Sequence, residues 1–397
     1  MTTPSAGPAA PALPISTRKV ALLLAMASMT GPFAVDMYLP AFHEMERSLK
    51  TTPYMMQLSM TVFFIGMAVM ALFHGAISDF VGRRPVIITA LSVYALASAA
   101  CALADNIQVL LFFRLVQGLT STAGFIVGRA LVRDLFDGPD AQRLQSQQTM
   151  IFGIAPIVAP ILGGVIIRYA PWQAVFWVLT GLATFAMLLQ WRYLPEGLPP
   201  EKRHRFSFSA LMRNYLDVFL KPQFQVIAFG NAFIHVAVMV YILAAPAMVM
   251  THLKLGEQGF HWVFVPSMGG IMLGAALSGR LAGKLKPVRQ TMLGVLLAFL
   301  GVSVNVLVNY FFLPPSVPVH VMPLFLYACG MGLCLPPIQL HLMDYYPAIR
   351  GACTSMLSFT QMTVVAFVSG LLIPQISGSA LSLAVTQWCL CVIGALA

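Results

Sequence analysis

The chain has 397 residues, of which 59% are hydrophobic and only 9% are charged, and its formal net charge is +10 at pH 7. A soluble domain carries about 25% charged residues, so this composition excludes a water-soluble protein and indicates one that is embedded in a lipid bilayer. The positive charge does not indicate nucleic-acid binding, because the basic residues lie in short loops between apolar runs and form no stripe on a polar domain.

Residues 1–18 are rich in Pro, Ala, Ser and Thr and are predicted to form a disordered tail. The rest of the chain is a series of apolar runs of about 20 residues, which is the length that a helix needs to cross a bilayer. Strands are not expected, because the runs are long and lack period-2 alternation. Twelve runs are predicted as spans 1 to 12, at 19–41, 54–78, 85–104, 107–132, 142–167, 172–194, 222–250, 258–282, 287–312, 319–343, 349–373 and 378–397. The last run ends without a polar tail, so we expect the native chain to continue beyond it.

The loops between the spans differ in charge. Seventeen of the 23 Lys and Arg residues fall on one side of the predicted membrane, four fall on the other, and Arg114 and Arg129 lie inside a span. Lys and Arg concentrate in cytoplasmic loops, so the N-terminus and the linker 195–221 are predicted to be cytoplasmic. The linker separates two groups of six spans, 19–194 and 222–397, which predicts a pseudo-two-fold transporter with its site between the halves.

The turn between spans 2 and 3 holds the most concentrated charge in the chain. Its glycines permit a tight turn and close helix approach. Asp79 can cap a neighbouring helix or accept bonds from arginine, and Asp134, at the end of span 4, is a candidate partner for either arginine of the turn. The turn is formed by Gly75, Asp79, Gly82, Arg83 and Arg84. A weaker version of the same pattern follows span 8, at Gly279, Arg280, Gly283, Lys284 and Lys286.

Two of these patterns resemble a known transporter family. The Gly-x-x-x-Asp-x-x-Gly-Arg-Arg turn is similar to the signature loop of the major facilitator superfamily. In the predicted span 4, Arg114-Leu-Val-Gln117-Gly118 looks like the Arg-x-x-Gln-Gly element of the same superfamily. The loop alone indicates the superfamily.

Two further motifs point to one branch of it. Asp36-Met-Tyr38-Leu-Pro40 in span 1 resembles the Asp-x-Tyr-Leu-Pro of the bicyclomycin/chloramphenicol-resistance (Bcr/CflA-type) drug:proton antiporters. A Gly/Pro pattern in span 5 is similar to the element that marks antiporters. That pattern is formed by Gly153, Pro156, Pro160, Gly163 and Gly164.

The resemblance implies an all-α integral membrane protein of the major facilitator fold, with twelve transmembrane helices in two pseudo-symmetric bundles. It implies a monomer in the bacterial inner membrane that exchanges a small-molecule drug for protons, without a cofactor. It also implies that the charged turn is a conformational latch and that the span 5 element seals the outer half of the interface. Anchoring of the arginines at the membrane surface is the alternative for the turn, and ordinary helix packing is the alternative for span 5.

Asp36 is the one acidic residue of 13 that falls inside a predicted span. An ionisable group at that depth is costly and indicates function. Burial favours the neutral form of a carboxyl and a nearby cation favours its charged form, so a carboxyl held between the two influences can bind and release a proton. Arg114 is the candidate cation, because counting at 1.5 Å rise per residue places the two residues at depths within roughly 3 Å of each other.

From these residues we expect a proton from outside to neutralise Asp36 and to weaken its hold on a cationic substrate or on Arg114. The halves then rock, and the substrate leaves outward as the proton moves inward. Since span 1 offers no second carboxylate, one proton per cycle is the simplest stoichiometry. A permanent Asp36–Arg114 or Asp36–backbone bond that only holds the helices together is the alternative.

The chain contains 24 Met and 27 Phe, and flexible, aromatic walls suit a cavity that accepts varied ligands. Candidates for the cavity wall share a helix face with a polar anchor. His235 is either an interior histidine with satisfied hydrogen bonds or a cavity donor and second protonatable group. The candidates are Phe33 and Tyr38 in span 1, Asn231, His235 and Met239 in span 7, Gln339 in span 10 and Gln361 in span 11.

Other functions are weighed on the same residues. A metabolite transporter, for sugars or amino acids, stays open, although an apolar cavity argues against sugar. A membrane enzyme or receptor is not expected, since the chain has no Walker loop, no His-Glu-x-x-His, no Gly-x-Ser-x-Gly and no large soluble domain. The six cysteines lie in apolar segments without metal-ligand spacing, so no metal site is predicted.

Overall fold

A computed structural model of the chain describes residues 17–136, 138–203, 207–346 and 350–397. Most of the predicted disordered tail, 1–16, lies outside the described residues, and the last two residues of that tail, Thr17 and Arg18, already belong to the first helix.

The described residues form an all-helical protein. Ten helical segments are long and apolar enough to cross a membrane, and two shorter apolar helices, Gly153–Tyr169 and Ala380–Leu396, bring the set among the described residues to twelve. The prediction of twelve transmembrane helices is therefore confirmed. Each predicted span coincides with one of these segments.

The N-terminal six spans are built from nine helices, because spans 1 and 4 are interrupted. Span 1 comprises three short helices, and span 4 comprises two that meet at Thr122. The helices are α1 (Thr17–Ser28), α2 (Thr30–Asp36), α3 (Phe42–Ser48), α4 (Pro53–Val81), α5 (Arg83–Ala102), α6 (Ile107–Ser121), α7 (Ala123–Leu135), α8 (Gly138–Tyr169) and α9 (Gln173–Tyr193).

The linker contains a helix that the sequence analysis did not predict, α10 (Phe208–Phe219). Ser207 caps it by accepting a bond from the Ala210 N–H. The Tyr215 hydroxyl donates to the Leu72 carbonyl of α4 at 2.5 Å, so the linker is fastened to the N-terminal half.

The C-terminal six spans have two irregular stretches. The predicted span 7 continues past the end of its helix into a π-helical turn, Ala247–His252, and span 11 contains a π-helical turn at Val368–Leu372. The helices are α11 (Pro222–Leu243), α12 (His261–Leu281), α13 (Pro287–Phe311), α14 (Met322–Tyr345), α15 (Arg350–Phe367), α16 (Ile373–Ile376) and α17 (Ala380–Leu396).

The two ends of the helix assembly differ in how the halves meet. We call the end that carries Gly82 and α10 the linker end, and the end that carries the turn 49–52 the far end. Toward the far end, one buried hydrophobic cluster includes residues of both halves, such as Phe63 and Tyr241. Toward the linker end, the N-terminal half has a cluster of its own. A third cluster there is built mainly from the C-terminal half. The halves are therefore joined most extensively at the far end.

Glycines set the spacing of three helices in the C-terminal half. A Cβ atom on Gly330 of α14 would overlap the backbone of Ala298 on α13, and one on Gly274 of α12 would overlap the carbonyl of Cys329. Only a residue without a side chain lets helix backbones approach this closely in a membrane.

We expect Gly330→Val to destabilise the protein, because the new side chain meets backbone that cannot move aside. Overpacking of this kind costs about 1–3 kcal/mol, and it would appear as a lower melting temperature of the purified protein in detergent. Gly279→Val is the matched control, since nothing lies within 4 Å of a Cβ there. An equal loss in both variants would contradict the role of Gly330 in close packing.

Candidate functional site

The backbone of span 1 breaks directly after its acidic residue. Helix α2 ends at Asp36, which is 3% exposed, and a short turn follows at Leu39–Ala41. Pro40 has no N–H to donate to the Asp36 carbonyl, so the helix cannot continue through this point. On the opposite side, Gly163 of α8 lies so close that a Cβ there would overlap the Met37 carbonyl. The acid therefore sits at a helix end that another span holds in place.

Arg114 of α6 is completely buried beside this break. Its Nη1 donates to the Ala34 carbonyl and to Oε1 of Gln117, both at 2.9 Å. Ala34 lies in the last turn of α2, where carbonyls lack a donor within the helix, so the break supplies the acceptor. The guanidinium carbon lies 4.3 Å from the ring centroid of Tyr38 and 4.5 Å from that of Phe63. Two aromatic faces therefore cover the cation.

Asp36 and Arg114 both border the break in span 1, and they are not ion-paired. Among the described residues, the Asp36 carboxyl forms neither a salt bridge nor a hydrogen bond. Within the same part of the chain, Nε and Nη2 of Arg114 are buried and have no hydrogen-bond partner. In this conformation the arginine is held by backbone, amide and aromatic groups, and the acid is left available.

A row of polar side chains behind Arg114 was not predicted from the sequence. Gln117 donates to the Ser98 hydroxyl at 2.8 Å, and the Tyr94 hydroxyl donates to the Thr30 carbonyl at 3.1 Å. All of these residues are buried, so each hydrogen bond satisfies a group that water does not reach. The row orients Gln117 and, through it, Arg114.

The predicted cavity residues fall into two sets. Phe33 and Tyr38 are buried around Asp36, and the Tyr38 hydroxyl shares a 3.0 Å hydrogen bond with Ser59. In the C-terminal half, Gln339 donates to Oδ1 of Asn231 at 3.5 Å, so the structure brings these two together from spans 10 and 7.

The other cavity candidates are half-buried. The His235 imidazole forms no hydrogen bond with any residue that the structure describes, and its place in a cavity stays a prediction. Met239 packs at the edge of the far-end cluster. Gln361 of α15 is half-buried as well.

The Gly/Pro element of span 5 lies between the two halves. Pro156 and Pro160 are inside α8. Beside Gly163, which meets span 1, Gly164 approaches the carbonyl of Glu257 in the C-terminal half, and Gly153 lies near Met272 of α12. The element thus contacts both bundles.

The charged turn is compact. Arg83 forms salt bridges with Asp79 at 2.5 Å and with Asp134 at 2.7 Å, and it also donates to the Ser78 hydroxyl at 2.6 Å. Gly82 has φ +116°, a conformation that side chains disfavour. The close helix approach predicted for the glycines of the turn does not occur at Gly75, because a Cβ there would have nothing within 4 Å.

The acid that caps α5 is Glu196, which the sequence analysis placed only in a loop. Its carboxylate accepts the N–H of Arg83 at 3.0 Å, of Arg84 at 3.3 Å and of Leu198 at 3.0 Å. Asp79, which was considered for such a cap, lies in the last turn of α4 and pairs instead with Arg83, the first residue of α5. These partners of the turn belong to the N-terminal half and the start of the linker, so a latch across the halves stays a prediction.

Three polar side chains do cross between the halves. Gln57 and Thr61 of α4 each donate to the Ser369 hydroxyl at 3.0 Å. All three residues are buried, and Ser369 lies in the π-helical turn of span 11. We call Gln57, Thr61 and Ser369 the far-end clamp.

Twelve helices in two groups of six, with buried charge at a broken helix, define an integral membrane transporter. The sequence pattern of the Major Facilitator Superfamily matches residues 24–390, and the chain belongs to this family. It is 29% identical over 354 residues to a Bacillus subtilis (strain 168) protein named as an uncharacterized MFS-type transporter, YdgK, covering 89% of this chain and 88% of that one.

Two other relatives carry names that refer to drug resistance. The bicyclomycin resistance protein homolog of Haemophilus influenzae is 30% identical over 277 residues, covering 70% of this chain and 69% of the relative. The multidrug resistance protein MdtL of Vibrio parahaemolyticus is 24% identical over 347 residues, covering 85% and 84%. The resemblance to this branch that the sequence predicted is confirmed.

Solved structures agree on the fold. A D-xylose-proton symporter has a TM-score of 0.75 at 14% identity, covering 96% of this chain and 95% of its own. The human organic anion transporter MFSD10 (TETRAN) has a TM-score of 0.66 at 16% identity, covering 96% of this chain and 100% of its own. At such identities the likeness concerns the fold alone.

We expect Glu196→Ala to destabilise the N-terminal half, because two backbone N–H groups at the N-terminus of α5 and one in the linker lose their acceptor. Loss of a cap costs about 1–2 kcal/mol, measured as a lower melting temperature in detergent. Glu201→Ala, at an exposed acid of the same linker, is the control. If Glu196→Ala has the same melting temperature as the wild type, the cap contributes nothing to stability.

Proposed function

We propose that this protein is a proton-coupled secondary antiporter that exports small amphipathic drugs, of the bicyclomycin or chloramphenicol kind, across a bacterial inner membrane. The names of its relatives support the drug class. The single observation that carries the coupling is Asp36, a buried acid at a helix break whose carboxyl has no ion-pair or hydrogen-bond partner among the described residues.

The arrangement suits an exchange site because the acid has no permanent partner. A carboxyl locked in an ion pair would have to break that pair before it could bind a proton or a cargo molecule. Here the backbone, Gln117 and two rings hold Arg114, so the acid can bind a proton or a cationic group while the arginine stays in place. One such acid supports one proton per cycle.

The orientation follows from the basic loops, and we place the linker end in the cytoplasm. Because the halves join most extensively at the far end, this conformation faces the cytoplasm, where drug enters and the proton leaves. Rocking then opens the far end, where a new proton displaces the cargo. The charged turn is proposed to engage the C-terminal half only in that second state.

The cavity would lie between Asp36 and the Asn231–Gln339 pair. Phe33, Tyr38 and Met239 give it apolar walls, and His235 faces it without a partner among the described residues. Few fixed polar groups and adaptable apolar walls suit amphipathic drugs better than sugars.

We expect Asp36→Asn to abolish drug-driven proton release from inverted membrane vesicles, because asparagine cannot exchange a proton. Asp36→Glu should keep a reduced activity, and Asp105→Asn, at an exposed acid of the far end, should behave as the wild type. The parallel readout is the susceptibility of an efflux-deficient host to bicyclomycin and chloramphenicol. Export by Asp36→Asn that still depends on the proton gradient would end the coupling proposal. If amino acids or sugars drive proton release and the drugs do not, the substrate is a metabolite and the proposed drug class is wrong.

We expect Gly163→Ala to make the protein leak protons, because a methyl group there pushes α8 away from the Met37 carbonyl beside Asp36. The measurement is passive decay of a pH gradient in proteoliposomes without substrate. Gly153→Ala is the control, since the nearest atom to a Cβ there is Cγ of Met272 at 3.8 Å. If proteoliposomes with either variant hold the pH gradient equally well, Gly163 serves helix packing and has no role in sealing.

A further inference from the structure

A cavity opens at the far end, and neither Asp36 nor Arg114 lines it. Its volume is about 360 Å³, and both halves line it. We call it the far-end vestibule and define it by Phe42, His43, Glu46, Tyr54 and Gln57 from the N-terminal half and by Pro246, Thr251, Pro374 and Ser377 from the C-terminal half. The volume falls in the range of small-molecule sites, which are about 300–1,000 Å³.

Two side chains of the vestibule, Glu46 and His43, carry polar groups that the described part of the chain leaves without a partner. The Glu46 carboxylate makes no ion pair or hydrogen bond within the described part of the chain. Nδ1 of His43 is buried and has no hydrogen-bond partner there. The Glu44 carboxylate, on the same helix, does have a partner, because it accepts the backbone N–H of Trp172 at 3.1 Å. A buried donor or acceptor without a partner is costly, and a ligand that supplies one removes that cost.

The lining fits an organic cation. A free carboxylate attracts positive charge, and the exposed ring of Tyr54 and the ring of Phe42 offer faces for a cation or for an aromatic group. The prolines of the C-terminal half add apolar surface without further charge. A compact molecule with one positive charge and one aromatic ring matches these groups.

We propose that the far-end vestibule binds amphipathic organic cations and that their binding inhibits transport by holding the far end closed. Gln57 lines the vestibule and also donates to Ser369 in the far-end clamp, so a ligand there lies directly against the contact between the halves. When the halves part at this end, the lining separates and the site is lost. A ligand that binds only one of two states shifts the population toward it.

The binding test uses benzyltrimethylammonium, titrated by calorimetry into the purified full-length protein. Glu46→Gln should weaken binding about tenfold, the equivalent of one charge-assisted contact, and Glu44→Gln should bind as the wild type. Asp36→Asn should also bind as the wild type. Unchanged melting temperatures without probe would show that the variants are folded. Equal affinity of Glu46→Gln and wild type, or loss of binding in Asp36→Asn, would overturn the site.

The transport test rests on the orientation and export activity proposed above. Benzyltrimethylammonium added outside intact cells should slow drug export by the wild type and should lose this effect with Glu46→Gln. Radiolabelled probe should not be carried. Transport of the probe, or equal inhibition of both proteins, would overturn the inhibitory role. The two proposals can fail separately, because the calorimetric titration does not depend on transport. Failure of the export proposal would appear in the transport assays of Asp36→Asn and would leave the titration unchanged.

Discussion

A buried cation inside an apolar helix bundle is the constraint on which the rest of the site depends. Arg114 is 0% exposed, and no acid among the described residues neutralises it. A charge in such surroundings needs hydrogen bonds, and the break after Asp36 supplies one by leaving the Ala34 carbonyl without an intrahelical donor. Gln117 accepts a second hydrogen bond, and the aromatic faces of Tyr38 and Phe63 add cation–π contacts. The interruption of span 1 thus stabilises the arginine and frees the acid.

The far-end contact between the halves combines a large apolar surface with three polar side chains that hydrogen-bond across it, counted over the described residues. Separating apolar surfaces there exposes them to water, whereas the far-end clamp loses little, because water can replace each hydrogen bond as it breaks. Gln57 already borders the vestibule, so water can reach it first. The hydrogen bonds of the far-end clamp therefore fix how the two halves are aligned at this end, and the apolar surface supplies most of the free energy of the contact.

Hydropathy predicted the spans because each one must be apolar over a fixed length, whatever its neighbours are. The same argument gave the depth of Asp36 and Arg114 but not their bonding, since depth says nothing about the direction in which a side chain leaves its helix. Glu196 was missed because a cap depends on where a loop returns in space, and its partners lie more than a hundred positions earlier. Helix α10 was missed because it is amphipathic and short, a pattern that a search for bilayer-length apolar runs passes over. Asn231 and Gln339 were predicted separately for the same cavity, and their meeting across 108 positions needed the fold.

The two halves divide the chemistry unequally. In the C-terminal half, Asn305 donates to the Tyr241 hydroxyl and to Oε1 of Gln387, both at 2.8 Å, and all three residues are buried. These neutral groups exchange hydrogen bonds without changing charge, so protonation cannot switch them. The described residues that are both charged and buried, Asp36, Arg83 and Arg114, all lie in the N-terminal half, and two of them border the break in span 1. In the mechanism that we propose, a proton that binds Asp36 therefore changes the electrostatics of the N-terminal half only.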